Sequence, residues 1–239
     1  MLIPFVIAAV VTLVGLRLAV RSLIRRAAPE FTLGVSVTLL QPGIVLTGYA
    51  LQAHKPELFP VSLGCATAGT AAIALFAQLT FRPRVAWARA LVVVLIAFLC
   101  YGHVLQVPLV QATGEPHFLY LSARLLLLGW AAFEALRHRA IYARRELIGM
   151  FNPVIANRFL LFGIWTLLMA LNALGTMLIV VLGQRFGLLD WRAWTFGVAR
   201  GVSSFLLIAM WLIFFPPDGY LAWIERRYAA RSKRLTADP

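Results

Sequence analysis

The sequence contains little acid and few of the residues from which catalytic or metal centres are built. Its 239 residues include nine Asp and Glu, four His and two Cys, against 22 Lys and Arg. Both cysteines, Cys65 and Cys100, lie inside apolar segments, so we expect no disulfide framework. No zinc signature, nucleophile elbow, Walker A motif or dinucleotide fingerprint occurs in the sequence. We therefore predict that the protein is not an enzyme.

Apolar residues dominate the composition instead. Hydrophobic residues make up 62% of the chain and charged residues 13%, and the mean hydropathy is +0.85. A soluble domain of this length could not bury so much apolar surface, so lipid is the expected solvent. The basic residues fall in short clusters between apolar segments. Such clusters set membrane orientation, so we expect membrane lipids as partners and no nucleic acid.

Seven segments are long and apolar enough to cross a bilayer, which takes about 17–25 residues. Because the loops between them are short, neighbours in the chain should pack as antiparallel pairs. The predicted fold is an all-α, polytopic integral membrane protein. It has a seven-transmembrane-helix bundle over residues 1–215 and a cytoplasmic amphipathic helix with a basic tail over 216–239. The predicted spans are approximately 2–20, 31–53, 61–81, 85–108, 118–136, 159–182 and 194–215.

The distribution of arginine and lysine predicts the orientation. One set of loops carries only Lys55, Arg185 and Arg192. This asymmetry places the N-terminus outside and the C-terminus inside, and we expect the membrane to be the bacterial inner membrane. The opposite set of loops and the tail carry Arg21, Arg25, Arg26, Arg82, Arg84, Arg89, Arg137, Arg139, Arg144, Arg145, Arg226, Arg227, Arg231, Lys233 and Arg234.

Beyond the last predicted span, Pro216 and Pro217 stop the helix because proline cannot continue its hydrogen-bond ladder. Tyr220, Trp223 and Ile224 then follow at helical spacing. This pattern predicts an amphipathic helix lying on the cytoplasmic surface, with its arginines facing anionic headgroups.

The longest cytoplasmic loop is predicted over residues 137–158. It contains Asn152-Pro153, a turn signal. We predict that this loop and the basic tail contact a separate protein partner in the cytoplasm or the membrane.

Ionisable side chains are costly in hydrocarbon, so those inside predicted spans are the leading candidates for a site. Arg124 and Arg200 lie in the outer halves of the fifth and seventh spans. Their guanidinium forks could hold a carboxylate or a phosphate of a small anionic or polar ligand or a lipid. Alternatively, each arginine snorkels to the outer headgroups and no pocket forms. Four further polar residues fall at similar depth and complete the predicted ligand-binding set: Tyr101, His103, Gln106 and Asn172.

Glu134 is the one acid that lies clearly inside a predicted span. A lone acid there could accept a proton in a transporter. We favour a structural pair with Arg137 or His138 on the same helix, or with Arg158 across the bundle.

Gln41-Pro42 lies near the middle of the second span, where proline frees a backbone carbonyl and favours a kink. The kink could be a hinge or be inert, and both interpretations remain open. Gln41, Pro42 and Glu134 are the candidate gating or proton-linked residues. Gly64, Ala68 and Ala72 have small-xxx-small spacing, which predicts a central, closely packed third helix.

Seven helices with the N-terminus outside, followed by a short amphipathic helix, resemble the architecture of opsins and seven-helix receptors. The resemblance covers the whole chain but extends to architecture alone, which does not determine function. Opsins hold retinal on a lysine of the last helix, whereas Lys55 and Lys233 both lie outside the predicted spans. Haem would need two facing imidazoles, and His103 is the one histidine well inside a span. We therefore expect no cofactor.

These features lead to one functional hypothesis and two alternatives. The leading hypothesis is a membrane receptor or sensor that binds its ligand from the outer side and couples to a separate partner. The first alternative is a transporter or lipid carrier in which the Gln41-Pro42 kink and Glu134 move. The second is a structural subunit of a larger membrane complex.

Overall fold

The computed structural model describes residues 2–53, 55–106, 115–144, 152–186, 212–213 and 216–237. Apart from a short 3-10 turn at Pro56–Leu58, the elements of this described part are α-helices, and it contains no strand. The predicted all-α class is therefore confirmed. The helices are α1 (Leu2–Arg25), α2 (Ala28–Gln52), α3 (Phe59–Phe81), α4 (Ala86–Gln106), α5 (Glu115–Arg144), α6 (Pro153–Phe186) and α7 (Asp218–Ala237).

The five helices α2 to α6 are long and apolar enough to cross a membrane, which indicates a membrane localisation. Helix α1 exposes large apolar side chains such as Leu13, Leu16 and Leu23, as a lipid-facing helix does, and remains a predicted span. The seventh predicted span lies outside the described residues, apart from two helical residues at 212–213. The seven-span count and the orientation therefore stay predictions.

The predicted 137–158 loop is wrong at both of its ends, because two helices extend beyond their apolar segments. Helix α5 continues to Arg144, and α6 already begins at Pro153. Residues 145–151 of the predicted loop lie outside the described part. Hydropathy marks where lipid contact ends, whereas charged residues such as arginine are good helix formers and let the helix continue into water.

Asn152 is a helix cap and not the turn that the Asn-Pro pair predicted. Its side-chain oxygen Oδ1 accepts hydrogen bonds from the backbone N–H groups of Val154 at 3.0 Å and Ile155 at 3.3 Å. Pro153 occupies the first helical position, where its missing N–H leaves no bond unmade. The two residues thus start α6 and set its first turn.

Helices α1 and α2 approach each other so closely that their contact requires glycine. A Cβ atom on Gly15 would lie 2.7 Å from the backbone nitrogen of Thr38. On the facing helix, a Cβ atom on Gly34 would lie 2.6 Å from the backbone nitrogen of Ala19. Any side chain at either glycine would push the two backbones apart.

The other side of α2 packs against α3 in the same way. A Cβ atom on Gly43 would lie 2.7 Å from the backbone nitrogen of Ala66, and one on Gly69 would lie 2.9 Å from that of Leu40. Helix α3 also contacts α4 and α5, so its predicted central place is confirmed. The predicted contact stripe is wrong in part, because Ala68 is exposed and Gly69 makes the close contact.

Helix α2 runs through Pro42 as one continuous helix. The packed residues Leu40 and Gly43 lie on either side of the proline, and both contact α3. Movement at the Gln41-Pro42 pair would therefore have to separate α2 from α3. Its use as a hinge stays a prediction.

The predicted C-terminal helix is confirmed as α7 and is anchored to the first turns of α6. Asn157 Nδ2 donates a hydrogen bond to the hydroxyl of Tyr220 at 2.9 Å, and Ile224 is buried. Trp223 stacks on Tyr220 and stays exposed, with the Arg227 guanidinium 5.2 Å from the centre of its ring. One face of α7 is thus fixed to the bundle. Its position at a membrane surface stays a prediction.

Replacing Gly43 by alanine should lower the melting temperature of the protein in detergent. The new Cβ would collide with two backbone atoms of α3, the nitrogen of Ala66 and the oxygen of Ser62. Backbone atoms inside a helix cannot move aside as the end of a flexible side chain can. Gly129→Ala is the matched control, since no atom lies within 4 Å of a Cβ there. In a helix, alanine is favoured over glycine by about 1 kcal/mol, so the control should melt at the same temperature or higher. Equal melting temperatures for the two variants would contradict the α2–α3 contact.

Candidate functional site

The contact between α4 and α5 sets the depth of the candidate site. A Cβ atom on Gly102 would lie 2.9 Å from both the Cα and the backbone nitrogen of Tyr120. Because the two backbones touch there, His103 and Tyr120 lie at the same level of the bundle. Glycine at position 102 is what permits this approach.

His103 is held by a residue of α3 that the sequence did not indicate. Its ring nitrogen Nδ1 lies 3.3 Å from Thr67 Oγ1. The single hydroxyl hydrogen of Thr67 is already donated to the carbonyl of Leu63, at 2.8 Å. With that donation in place, Thr67 Oγ1 accepts from His103, and Nδ1 carries the proton. In the neutral ring this leaves Nε2 as an acceptor.

Two polar atoms of α5 at this level are buried without a hydrogen-bond partner in the described part of the chain. They are the hydroxyl of Tyr120, a residue 2% exposed, and Nε of Arg124. The two residues are four positions apart and so lie on one face of the helix. A buried polar group left unpaired costs about 1–3 kcal/mol. This face of α5 is therefore chemically incomplete as it stands.

The other predicted site residues differ in where the structure places them. Asn172 of α6 is half-buried, whereas Tyr101 is 57% exposed on the outside of α4, apart from the His103 ring. Gln106 ends α4, and its side chain lies outside the described part, as does the whole of Arg200. Of the predicted set, His103 thus lies beside Thr67 of α3, and Arg124 shares one face of α5 with Tyr120. That they form one ligand site stays a prediction.

Sequence reasoning missed Thr67 and Tyr120. The i, i+4 spacing to Arg124 could have indicated Tyr120, because that spacing puts both residues on one face. No local signal could have indicated Thr67, because its role depends on which helix lies beside His103.

A second polar cluster lies at the other end of α5, around Glu134. This carboxylate is 1% exposed, and its Oε2 atom accepts from Arg82 Nε at 3.0 Å. Arg137 and His138 lie 3.6 Å from the same oxygen. The predicted pairing of Glu134 with Arg137 and His138 is confirmed. Its shortest contact, to Arg82 at the end of α3, was not predicted.

Neighbouring residues hold the Glu134 cluster in place. His138 Nδ1 lies 2.9 Å from the backbone oxygen of Glu134, and its ring packs on Phe81 at 4.8 Å between centroids. Gln78 Nε2 donates to the carbonyl of Arg82 at 3.2 Å. Glu134, Arg82 and Gln78 are thus all hydrogen-bonded within the protein, unlike Tyr120 OH and Arg124 Nε near the other end of α5.

Among the described residues, no group of three His, Cys, Asp or Glu side chains is arranged to hold a metal ion. Comparison of the chain with protein-family models, with curated proteins and with solved structures gives no match.

Replacing Glu134 by alanine should destabilise the protein more than replacing Arg137 by alanine. Removing the buried acid leaves two arginines without a counter-charge, and breaking such a pair costs about 3 kcal/mol or more. Arg137 has a 42% exposed side chain and a longer contact, so its loss should cost about 1 kcal/mol or less. Melting temperatures in detergent test this order.

Glu134→Gln is the matched variant, because it keeps an oxygen that can accept from Arg82 and removes the charge. Its melting temperature should lie between those of the wild type and Glu134→Ala. If Glu134→Ala had the same melting temperature as the wild type, the contact between the Glu134 carboxylate and Arg82 would not stabilise the packing of α3 on α5.

Proposed function

We propose that the protein is a membrane receptor or sensor that binds a small anionic or strongly polar ligand within its bundle. The observation that supports this is that Tyr120 OH and Arg124 Nε, one helical turn apart on α5, are both buried without a hydrogen-bond partner in the described part of the chain. Buried polar groups in proteins almost always have partners, and exceptions indicate an unseen water, ion or ligand. The outer level of α5 is the place where a ligand would complete the hydrogen bonding.

The chemistry of the cluster indicates the class of ligand. Arg124 supplies a donor with a permanent positive charge, which suits a carboxylate or phosphate. Tyr120 can donate or accept, and Nε2 of His103 accepts when Nδ1 carries the proton. The favoured ligand therefore combines an anionic group with a hydroxyl or another donor. Arg200, if it lies at the depth that its span predicts, would add a second guanidinium.

Helix α5 offers a direct route from this site to the other end of the bundle. Tyr120 and Glu134 are 14 residues apart on one helix, which corresponds to about 21 Å. A ligand that shifts α5 at Tyr120 would strain the Glu134–Arg82 contact with α3. We propose that this coupling reaches a partner through the α5–α6 connection and α7.

The structure offers less support for a carrier. A solute path needs polar groups that can contact the solute along its whole length. At the inner level, Glu134 is bonded to Arg82, and Gln78 to the carbonyl of Arg82. A carrier would have to break these bonds in each cycle. Flux of solute into liposomes would support the carrier, and stable co-purification of a protein in place of a ligand would support a structural subunit.

Replacing Tyr120 by phenylalanine should remove ligand binding without lowering stability. Its hydroxyl has no partner in the described part, so its loss should leave the melting temperature unchanged or raise the free energy of unfolding by about 1 kcal/mol. Arg124→Gln should also lose the ligand. Native mass spectrometry of the gently purified protein would show a retained small molecule in the wild type and an apo mass in both variants.

Tyr101→Phe is the matched control, because Tyr101 is an exposed tyrosine near the same depth. It should retain the ligand. The proposal fails if the wild type is apo, or if Tyr120→Phe lowers the melting temperature and so reveals a partner for the hydroxyl within the protein.

The proposed orientation can be tested with single cysteines at two exposed positions, in a background where Cys65 and Cys100 are replaced by alanine. A cysteine replacing Lys55 should react with a membrane-impermeant maleimide on intact cells. A cysteine replacing Arg84 should react only after permeabilisation. The opposite pattern would invert the bundle and place the Tyr120 level on the cytoplasmic side.

A further inference from the structure

Helix α1 carries a row of arginines with no acidic partner in the described part of the chain. Arg17, Arg21 and Arg25 follow one another at four-residue spacing, and all three are exposed. The ion pairs found between described side chains centre on Glu134 of α5, and Arg17, Arg21 and Arg25 take part in none of them. Successive arginines are about 6 Å apart along the helix, so their like charges repel.

Arg17 lies inside the apolar part of α1. The exposed residues around it are Leu13, Leu16 and Val20, and the opposite face contacts α2 through Gly15. If α1 spans the membrane as the sequence predicts, Arg17 therefore emerges on its lipid-facing side. A charge in this position costs a few kcal/mol unless it reaches water or an anion.

The direction of helical side chains makes that escape difficult. Side chains lean toward the N-terminus of their helix. Arg21 and Arg25 mark the end of α1 that is predicted to lie at the headgroups, so the Cα–Cβ bond of Arg17 is directed away from that end. To reach water it must fold back past Arg21, which repels it. A phosphate drawn to this level would relieve both the desolvation and the repulsion.

We propose that this face of α1 binds an anionic phospholipid, with its phosphate held by Arg17 and Arg21. Guanidinium groups bind phosphate through two parallel hydrogen bonds, and two of them one turn apart can share one headgroup. The acyl chains lie along Leu13, Leu16 and Val20. This site is at the opposite end of the bundle from Tyr120 and does not depend on the proposed receptor function.

The test is native mass spectrometry of the full chain with phosphatidylglycerol and phosphatidylcholine of identical acyl chains, supplied at equal concentration. The wild type should retain phosphatidylglycerol in preference. Each basic residue near an anionic headgroup is worth about 1 kcal/mol, so the double variant Arg17→Gln/Arg21→Gln should bind phosphatidylglycerol about 25-fold more weakly. Its binding of phosphatidylcholine should not change.

Arg84→Gln/Arg89→Gln is the matched control, because it removes two exposed arginines, and therefore the same charge, from the start of α4. It should bind as the wild type does. If both double variants lost the same amount of phosphatidylglycerol binding, the site would be overturned, because binding would then depend on the net charge of the protein and not on α1. Displacement of the lipid by inorganic phosphate would overturn the role of the acyl chains.

Two single variants cover the remaining outcomes. Arg17→Lys keeps the charge and should fold even if the double variant does not. It lacks the planar guanidinium that donates two parallel hydrogen bonds to a phosphate, so it should bind phosphatidylglycerol more weakly than the wild type. Unchanged binding in this variant would overturn the paired guanidinium–phosphate hydrogen bonds of Arg17. Arg124→Gln should retain the lipid on α1, so a failure of the proposed receptor site and a failure of this lipid site remain distinguishable.

Discussion

The architecture depends on backbone contacts that glycine permits between α1, α2 and α3. In hydrocarbon there is no hydrophobic force that drives helices together, because lipid is as apolar as leucine. Close approach is what makes helix association favourable, through van der Waals contact over a long interface. Gly34 on one side of α2 and Gly43 on the other bring both neighbouring backbones within contact of it. Helix α3 is fixed by this packing, and α3 in turn positions Thr67 against His103 and Arg82 against Glu134.

The sequence could predict the helices because the bilayer imposes a length and a composition on each span. It could not predict where α5 and α6 end, because a helix is free to continue into water and the apolar signal stops at the headgroups. Arg144 and Pro153 lie beyond that boundary. The Asn152 cap was likewise ambiguous, since an Asn-Pro pair suits both a turn and a helix start.

The polar contacts show a second limit of sequence analysis. Position along a span indicates the depth of a residue, which is why His103 and Arg124 were predicted to lie at one level of the bundle. The rotation of each helix and its neighbours across the bundle are not encoded in any local pattern. Arg82 and Glu134 are 52 residues apart, and His103 and Thr67 are 36 apart. For the same reason Tyr101 entered the predicted set, although it points away from His103.

The contrast between the two ends of α5 is the main reason to place a ligand at one of them. Both ends contain buried polar groups, Glu134 at one end and Tyr120 OH and Arg124 Nε at the other, and removing such groups from water is unfavourable. At Glu134 the protein offsets this cost with its own groups, since the carboxylate has three basic neighbours within 3.6 Å. For Tyr120 OH and Arg124 Nε the described residues provide no such partner. The Glu134 carboxylate is therefore neutralised within the protein, whereas Tyr120 OH and Arg124 Nε, on the same helix, depend on a group outside the described residues or remain unpaired at a cost in stability.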